Sequence, residues 1–187
     1  RTPHGAGGGA GAGGGGGGGP AGRRRTADLA EVVRSSLESA KPFAESAGVS
    51  LVDATTTGLH GEFDPARMHQ VFDNLITNAV KYSSSGDTVT ATCRTVGDGL
   101  EVCVSDTGRG MGEEDRLRVF DQFFRNSEVK ESAIPGLGLG LTIANAIVRG
   151  HGGGITVAST LGEGTSFTVR IPSATLHSAG ETARNGS

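Results

Sequence analysis

Residues 64–83 read DPARMHQVFDNLITNAVKYS, and the rest of the chain is best understood outward from this stretch. Asp64-Pro65 is a helix start: an aspartate that can accept from free N–H groups, then a proline whose missing N–H costs nothing in a first turn. Met68, Val71, Phe72, Leu75, Ile76, Ala79 and Val80 recur at three- and four-residue spacing, so the expected helix carries one apolar face as far as about Tyr82. Asn74 and Asn78 are four residues apart, one turn apart on the same side. Asparagine is a poor helix former, and two of them inside an apolar pattern ask for a reason. A carboxamide oxygen can ligate a hard cation such as Mg2+ without adding negative charge beside phosphate. Lys81 and Tyr82, at the helix end, are placed to touch a phosphate or a sugar. Taken alone, the helix is equally compatible with two amides that tie it to a neighbouring sheet.

Upstream, residues 28–47 predict another helix, with Leu29, Val32, Val33, Leu37, Ala40, Ala44 and Ala47 in register, Pro42 as a possible kink and Gly48 as the stop. Residues 49–53 and 59–63 read as short strands. Downstream, residues 83–87 are a turn. Residues 88–95 and 100–105 alternate as two strands around Gly97-Asp98-Gly99. A glycine-rich loop over 106–112 leads to a short helix over 113–120. Residues 126–135 have neither period nor apolar content and read as a mobile loop. A helix over 139–149 and a hairpin of 155–159 with 165–171 complete the body. Helices and hairpins mix without regular βαβ alternation. The expected fold is therefore α+β, a two-layer sandwich in which a mixed sheet of about five strands is covered on one face by about three helices.

Composition divides the chain of 187 residues unevenly. Residues 1–22 hold 13 of the 33 glycines and cannot bury enough apolar surface to fold. We expect a glycine-rich linker or tail over 1–25, one domain over 26–172 and a C-terminal tail over 173–187. Arg23-Arg24-Arg25 reads as a solvated charge cluster ahead of a helix. A net charge of −3 offers no global field for nucleic acid. No apolar run approaches the roughly 20 residues that span a bilayer. Cys93 and Cys103 fall on opposite faces of neighbouring strands and are expected to be reduced thiols. Neither a disulfide framework nor a zinc site follows from two cysteines.

Three further motifs join the asparagine helix. Asp106-Thr107-Gly108-Arg109-Gly110 follows a strand; a carboxylate held there can accept from the exocyclic amino group of a base, and the glycines let backbone approach a flat ring. Gly136-Leu137-Gly138-Leu139-Gly140-Leu141 leads into a helix whose free N–H groups suit an anion. It is neither a Walker A loop nor a Rossmann turn. Gly162-Glu163-Gly164-Thr165 is a turn that could approach the helix ends. Each alone has a plain structural reading as a turn or hinge.

Together, and in this order, the motifs resemble the boxes of the GHKL ATP-binding superfamily. Asn74 to Ser83 resembles the N box, and Asp106-x-Gly108-x-Gly110 the G1 box. Phe120-Asp121-Gln122-Phe123-Phe124-Arg125 is similar to the F box. Gly136 to Leu141 resembles G2, and Gly162-x-Gly164-Thr165-Ser166-Phe167 resembles G3. Ile147 to Gly153 also matches, so the resemblance spans roughly residues 26–172. The F box and the Asn-Ala-x-Lys-Tyr-Ser form point within the superfamily to the C-terminal catalytic domain of bacterial two-component sensor histidine kinases, with its Bergerat-type sandwich.

The resemblance implies roles. Asn78 would ligate Mg2+, with Asn74 supporting metal and phosphates. Lys81 would meet phosphate and Tyr82 the sugar side. Asp106 would bind the adenine amino group, near Gly108, Gly110 and Thr165. Arg125 would reach the γ-phosphate and act with Asn74 and Asn78 in catalysis. Residues 126–137 would form an ATP lid, and Gly136, Gly138, Leu139, Gly140 and Leu141 the phosphate-binding turn. Hydrolysing members carry a glutamate where this chain has Asn74, and an amide cannot act as general base for water. The expected activity is therefore transfer of the ATP γ-phosphate to a histidine on a separate dimerisation domain, followed by a response regulator. The five histidines here are followed by Gly5, Gly61, Gln70, Gly152 and Ser178, and none fits a phosphoacceptor box. His69 and His151 read as structural. The expected setting is a cytoplasmic domain, monomeric as a fragment, of a homodimeric protein anchored in the bacterial membrane. Alternatives are a nucleotide-binding signalling module without catalysis and an anti-sigma-factor-type serine kinase.

Overall fold

Asp28 accepts a hydrogen bond from Ala30 N at 2.9 Å and so caps the first helix, α1 (Leu29–Ala47). The computed structural model describes residues 22–121 and 140–173. Helix α1 runs through Pro42 and ends at Gly48, in the left-handed conformation at φ 70°. The second helix, α2 (Pro65–Lys81), begins as its sequence asks. Asp64 accepts from Ala66 N and Arg67 N at 3.0 and 3.1 Å, with Pro65 in the first turn. All seven of its expected apolar residues are buried, from Met68 to Val80. At about 1.5–3 kcal/mol for each large side chain, this burial outweighs the two poorly helical asparagines. Ser36 on α1 donates to the His69 carbonyl at 3.3 Å, so the helix pair is also joined by a buried hydroxyl.

The strands form two sheets. The larger holds β2 (Ser50–Thr55), β4 (Thr88–Val96), β5 (Gly99–Asp106), β6 (Gly154–Thr160) and β7 (Gly164–Pro172), in the order β2-β4-β5-β7-β6. β2 and β4 are parallel; the other neighbours are antiparallel. Its inward face carries Val89, Ala91, Leu100, Val102, Val104, Phe167, Val169 and Ile171, all buried in one core with α1, α2 and the last helix, α4 (Gly140–Gly150). A short helix, α3 (Glu113–Arg118), follows β5. The expected α+β sandwich with a five-stranded mixed sheet is what the chain forms. Cys93 pairs with Val102 while Cys103 pairs with Thr92, so the two thiols lie on opposite faces and are free.

Two details differ from the sequence reading. The strand expected over 59–63, observed as β3 (His60–Phe63), does not join the main sheet. It pairs with β1 (Arg25–Asp28) in a separate two-stranded sheet. β1 has no expected counterpart: four residues beginning with arginine give too short a pattern to read. Arg25, placed in the linker by composition, is opposite Phe63. The glycine arm up to residue 21, the loop over 126–135 and the tail from residue 174 lie outside the described residues.

Candidate nucleotide-binding site

The inward residues of β5 run Leu100, Val102, Val104, Asp106. Three apolar side chains thus lead to a carboxylate at the strand end, still on the core face and only 8% exposed. Its Oδ1 accepts from Gly108 N at 2.9 Å, and a backbone N–H of Thr165 also reaches the carboxylate. Burial pushes the Asp106 carboxyl above the usual aspartate range; those two N–H groups oppose the rise, and the Asp87 charge adds to it. A buried acceptor at a strand end, ringed by backbone, is suited to an exocyclic amino group.

The loop after Asp106 is pinned on three sides. Thr107 N donates to Thr88 O at 3.1 Å, and Arg109 N to Tyr82 O at 3.3 Å. Gly162 N donates to Arg109 O. These bonds draw the C-terminal end of α2, the β5 loop and the β6–β7 turn together. The approaches are too close for a side chain: a Cβ on Gly108 would lie 2.4 Å from Tyr82 O and one on Gly110 1.9 Å from Thr160 O, so only glycine fits at either position. Thr165 is buried beside Asp106 in ladder register.

On α2, Asn74 and Asn78 are both half-buried. Asn74 Nδ2 donates to Gly140 O at 3.0 Å, which fastens α2 to the first residue of α4. Among the described residues the Asn78 carboxamide has no hydrogen-bond partner. Lys81 is the last residue of α2 and Tyr82 its cap. Leu141 follows in the first turn of α4, partly buried against the core. The structure therefore brings together Asn74 with Gly140, and Asp106 with Gly108, Thr165 and the Tyr82 backbone. Arg125, Gly136, Gly138 and Leu139 lie outside the described residues. Phe120, at the start of the expected F box, is anchored: its ring meets Phe167 edge-on at 6.1 Å, and its carbonyl accepts from Thr142 Oγ1 at 3.2 Å.

The two histidines have structural partners. His151 Nε2 accepts from Asp64 N at 3.1 Å and its Nδ1 lies 2.8 Å from Ile147 O. His69 bridges Ser35 on α1 and Asp73 on α2. It also borders a groove of about 500 Å3 with Arg25, Asp28, Glu31 and Pro65, which contains none of the expected site residues.

Two residues at the site have no counterpart in the sequence reading. The Arg109 guanidinium lies over the Tyr82 ring. Ser159 sits among Met111, Gly164 and Thr165. Its sequence signal was the inward period of β6, in which Ile155, Val157 and Ser159 share one face and a hydroxyl stands where an aliphatic residue is expected. Arg109 gave no signal, because its partner is remote in sequence.

A five-stranded mixed sheet under three helices, with a buried aspartate at one strand end and paired asparagines on the facing helix, defines a nucleotide-binding α+β sandwich. Residues 63–175 match the family described as histidine kinase-, DNA gyrase B-, and HSP90-like ATPases, and the chain belongs to that family. The sensor-like histidine kinase SenX3 of Mycolicibacterium smegmatis is 32% identical over 145 residues, which is 78% of this chain and 38% of that protein. This chain thus spans well under half of that relative. The mycobacterial sensor histidine kinase MprB superposes with a TM-score of 0.70 at 26% identity, over 81% of this chain and 98% of that one. Full-length ShkA in complex with AMPPNP superposes with a TM-score of 0.71 at 28% identity, over 81% of this chain and 31% of that one. The family and these relatives make the chain a catalytic domain of the sensor histidine kinase type.

Proposed function

We propose that this domain binds Mg-ATP between α2, α4 and the β5 loop and passes the γ-phosphate to a histidine on a dimerisation domain, from which a response regulator is charged. The observation that carries the reading is Asn74. It stands where hydrolysing members of the superfamily have their glutamate, and its Nδ2 is committed to the Gly140 carbonyl. No proton can be taken from water there. Phosphoryl transfer then depends on positioning and charge, with the acceptor supplied by another domain.

In this reading Asp106 accepts from the adenine amino group, while Gly108, Gly110 and Thr165 shape the base pocket. Lys81 and Tyr82 hold the sugar and phosphate side. Gly140 and Leu141, opening α4, would offer N–H groups to phosphate, and Gly136, Gly138 and Leu139 would join them. Arg125 would offset charge on the γ-phosphate. The residues present fit a magnesium ion. Asn78 is a half-buried amide with no partner among the described residues, and no cluster of three or more acidic, histidine or cysteine ligands is found among them. Asn78 would hold the ion through one neutral oxygen, leaving phosphate oxygens to complete its shell. When bound, the ion supplies positive charge against the triphosphate. The full-length protein would be a membrane-anchored homodimer; among the described residues no helix is long and apolar enough to cross a bilayer.

The test is calorimetric titration with an ATP analogue, with and without Mg2+, on the wild type, Asp106→Asn and Asn78→Ala. It is followed by transfer of radiolabel to a separately supplied dimerisation domain. Magnesium-dependent binding lost in both variants, and an acid-labile label on the acceptor, are expected. Binding without transfer to any acceptor would leave a nucleotide-sensing module. An acid-stable label would indicate a serine kinase instead.

A further inference from the structure

Three short contacts meet at one hydroxyl. Ser159 Oγ lies 2.8 Å from Met111 N, 3.0 Å from Gly164 O and 2.8 Å from Thr165 Oγ1. Three protons serve these contacts: the Met111 N–H, the Ser159 O–H and the Thr165 O–H. The amide can only donate, and the carbonyl can only accept. The Ser159 proton therefore goes to Gly164 O, and Thr165 must give its own proton to Ser159. Any other arrangement sets two oxygens face to face, about 3 Å apart, with no proton between them.

This has a chemical consequence for the pocket. With its one proton used, Thr165 Oγ1 offers only lone pairs to anything else beside it. Thr165 is in ladder register with Asp106, which is itself an acceptor when ionised. Both residues are buried, so water does not freely compensate a mismatched partner there.

We infer that Ser159 is a positioning residue that fixes the Thr165 hydroxyl as an acceptor, and so makes the base pocket select a 6-amino purine over a 6-oxo purine. A 6-amino group donates to such a corner. A 6-oxo group brings a further acceptor against it and leaves buried lone pairs unpaired. The inference rests on the reading of Asp106 as the base-binding group, but assigns the discrimination to a residue that itself touches no nucleotide.

The experiment compares ADP with inosine diphosphate, which differ only at this edge of the ring, by calorimetry in Mg2+. The proteins are the wild type, Ser159→Ala, Ser159→Thr, Thr165→Val and the Ser159→Ala/Thr165→Val double variant. Freed of Ser159, the Thr165 hydroxyl can turn and donate, so Ser159→Ala narrows the preference for ADP by about tenfold, the value of one net hydrogen bond. Ser159→Thr keeps the hydroxyl and the wild-type preference. In the Thr165→Val background, Ser159→Ala changes the preference no further, a non-additivity that a merely structural serine would not produce. An unchanged ADP preference in folded Ser159→Ala overturns the inference, as does an equal shift in the Thr165→Val background. If Ser159→Ala fails to fold, Ser159→Cys, a weak donor and acceptor, is read by the same criteria. A wild type that binds neither nucleotide overturns the proposed function and this inference together. A wild type that binds ADP with an indifferent Ser159 overturns the inference alone.

Discussion

The Arg109 guanidinium carbon lies 5.1 Å from the centre of the Tyr82 ring, while the backbone N–H of Arg109 donates to the Tyr82 carbonyl. One residue of the β5 loop thus holds both the ring and the main chain at the end of α2. A cation over an aromatic face is worth about 0.5–1 kcal/mol when partly exposed. Arg109→Ala should lower stability by about that much in a urea melt and should weaken nucleotide binding, because Tyr82 loses its backing. Arg109→Lys keeps the charge without the broad guanidinium plane and should fall between the two.

Asp106 should give nucleotide binding a distinctive pH dependence. Burial raises its carboxyl above the ordinary aspartate range. The amino group of the base needs the ionised form, so affinity is full above the raised value and falls as pH drops through it. The fall begins at a higher pH than an ordinary surface aspartate would give. The sign for stability is opposite. The folded state holds this proton more tightly than the unfolded chain, so the group's contribution is fully present below the unfolded pKa and lost as pH rises through the folded one. Asp106→Asn should therefore abolish binding without destabilising the free protein at neutral pH. Titrations over the acidic range and paired melts check both halves.

Gly164 and Gly162 should respond very differently to alanine. Both have positive φ, 105° and 82°. A Cβ on Gly164 would lie 2.0 Å from Asp106 O, against backbone that cannot move aside, whereas one on Gly162 would meet nothing within 4 Å. Gly162→Ala should cost only its backbone strain, about 1–2 kcal/mol. Gly164→Ala should cost more than that and also displace Asp106, so the surviving folded protein binds nucleotide weakly. Denaturant melts and calorimetry on the two variants separate these effects.

His151 should matter for folding and not for chemistry. Its Nε2 accepts from Asp64 N and its Nδ1 faces Ile147 O, a pattern that only the neutral ring protonated on Nδ1 satisfies. His151→Ala leaves the Asp64 N–H, at the cap of α2, without that partner. The expected loss is about 1–3 kcal/mol. Nucleotide affinity per folded molecule should stay at the wild-type value.

The helices were readable because their signals are local. Asp64-Pro65 starts α2, and the apolar period fixes its buried face; Gly48 stops α1 for a reason contained in one residue. The apolar alternation Leu100, Val102, Val104 was readable as well, but that Asp106, read as the start of a loop after the strand, continues it on the inward face is seen only in the fold. β1 escaped because four residues starting with arginine carry no period, and because its pairing with β3 is made across an intervening helix. Arg109 and Ser159 escaped for the same physical reason: their partners, Tyr82 and Met111, are brought close only by the folded sheet and helices.

By itself, then, the sequence determined the order of every element except β1, the inward faces of α1, α2, β4 and β5, and the residue types gathered at the candidate site: amides on α2, a carboxylate at the end of β5, glycines at the turns. These follow from period, capping and side-chain chemistry, which act within a few residues. The tertiary structure decided which strands share a sheet, that Asn74 is fastened to Gly140, and that Gly108 must be bare to pass Tyr82. It also decided how the protons are shared around Ser159. Those are relations between atoms far apart along the chain. Their energies depend on distances of a few ångströms that no local pattern specifies, and only the packing of the core sets them.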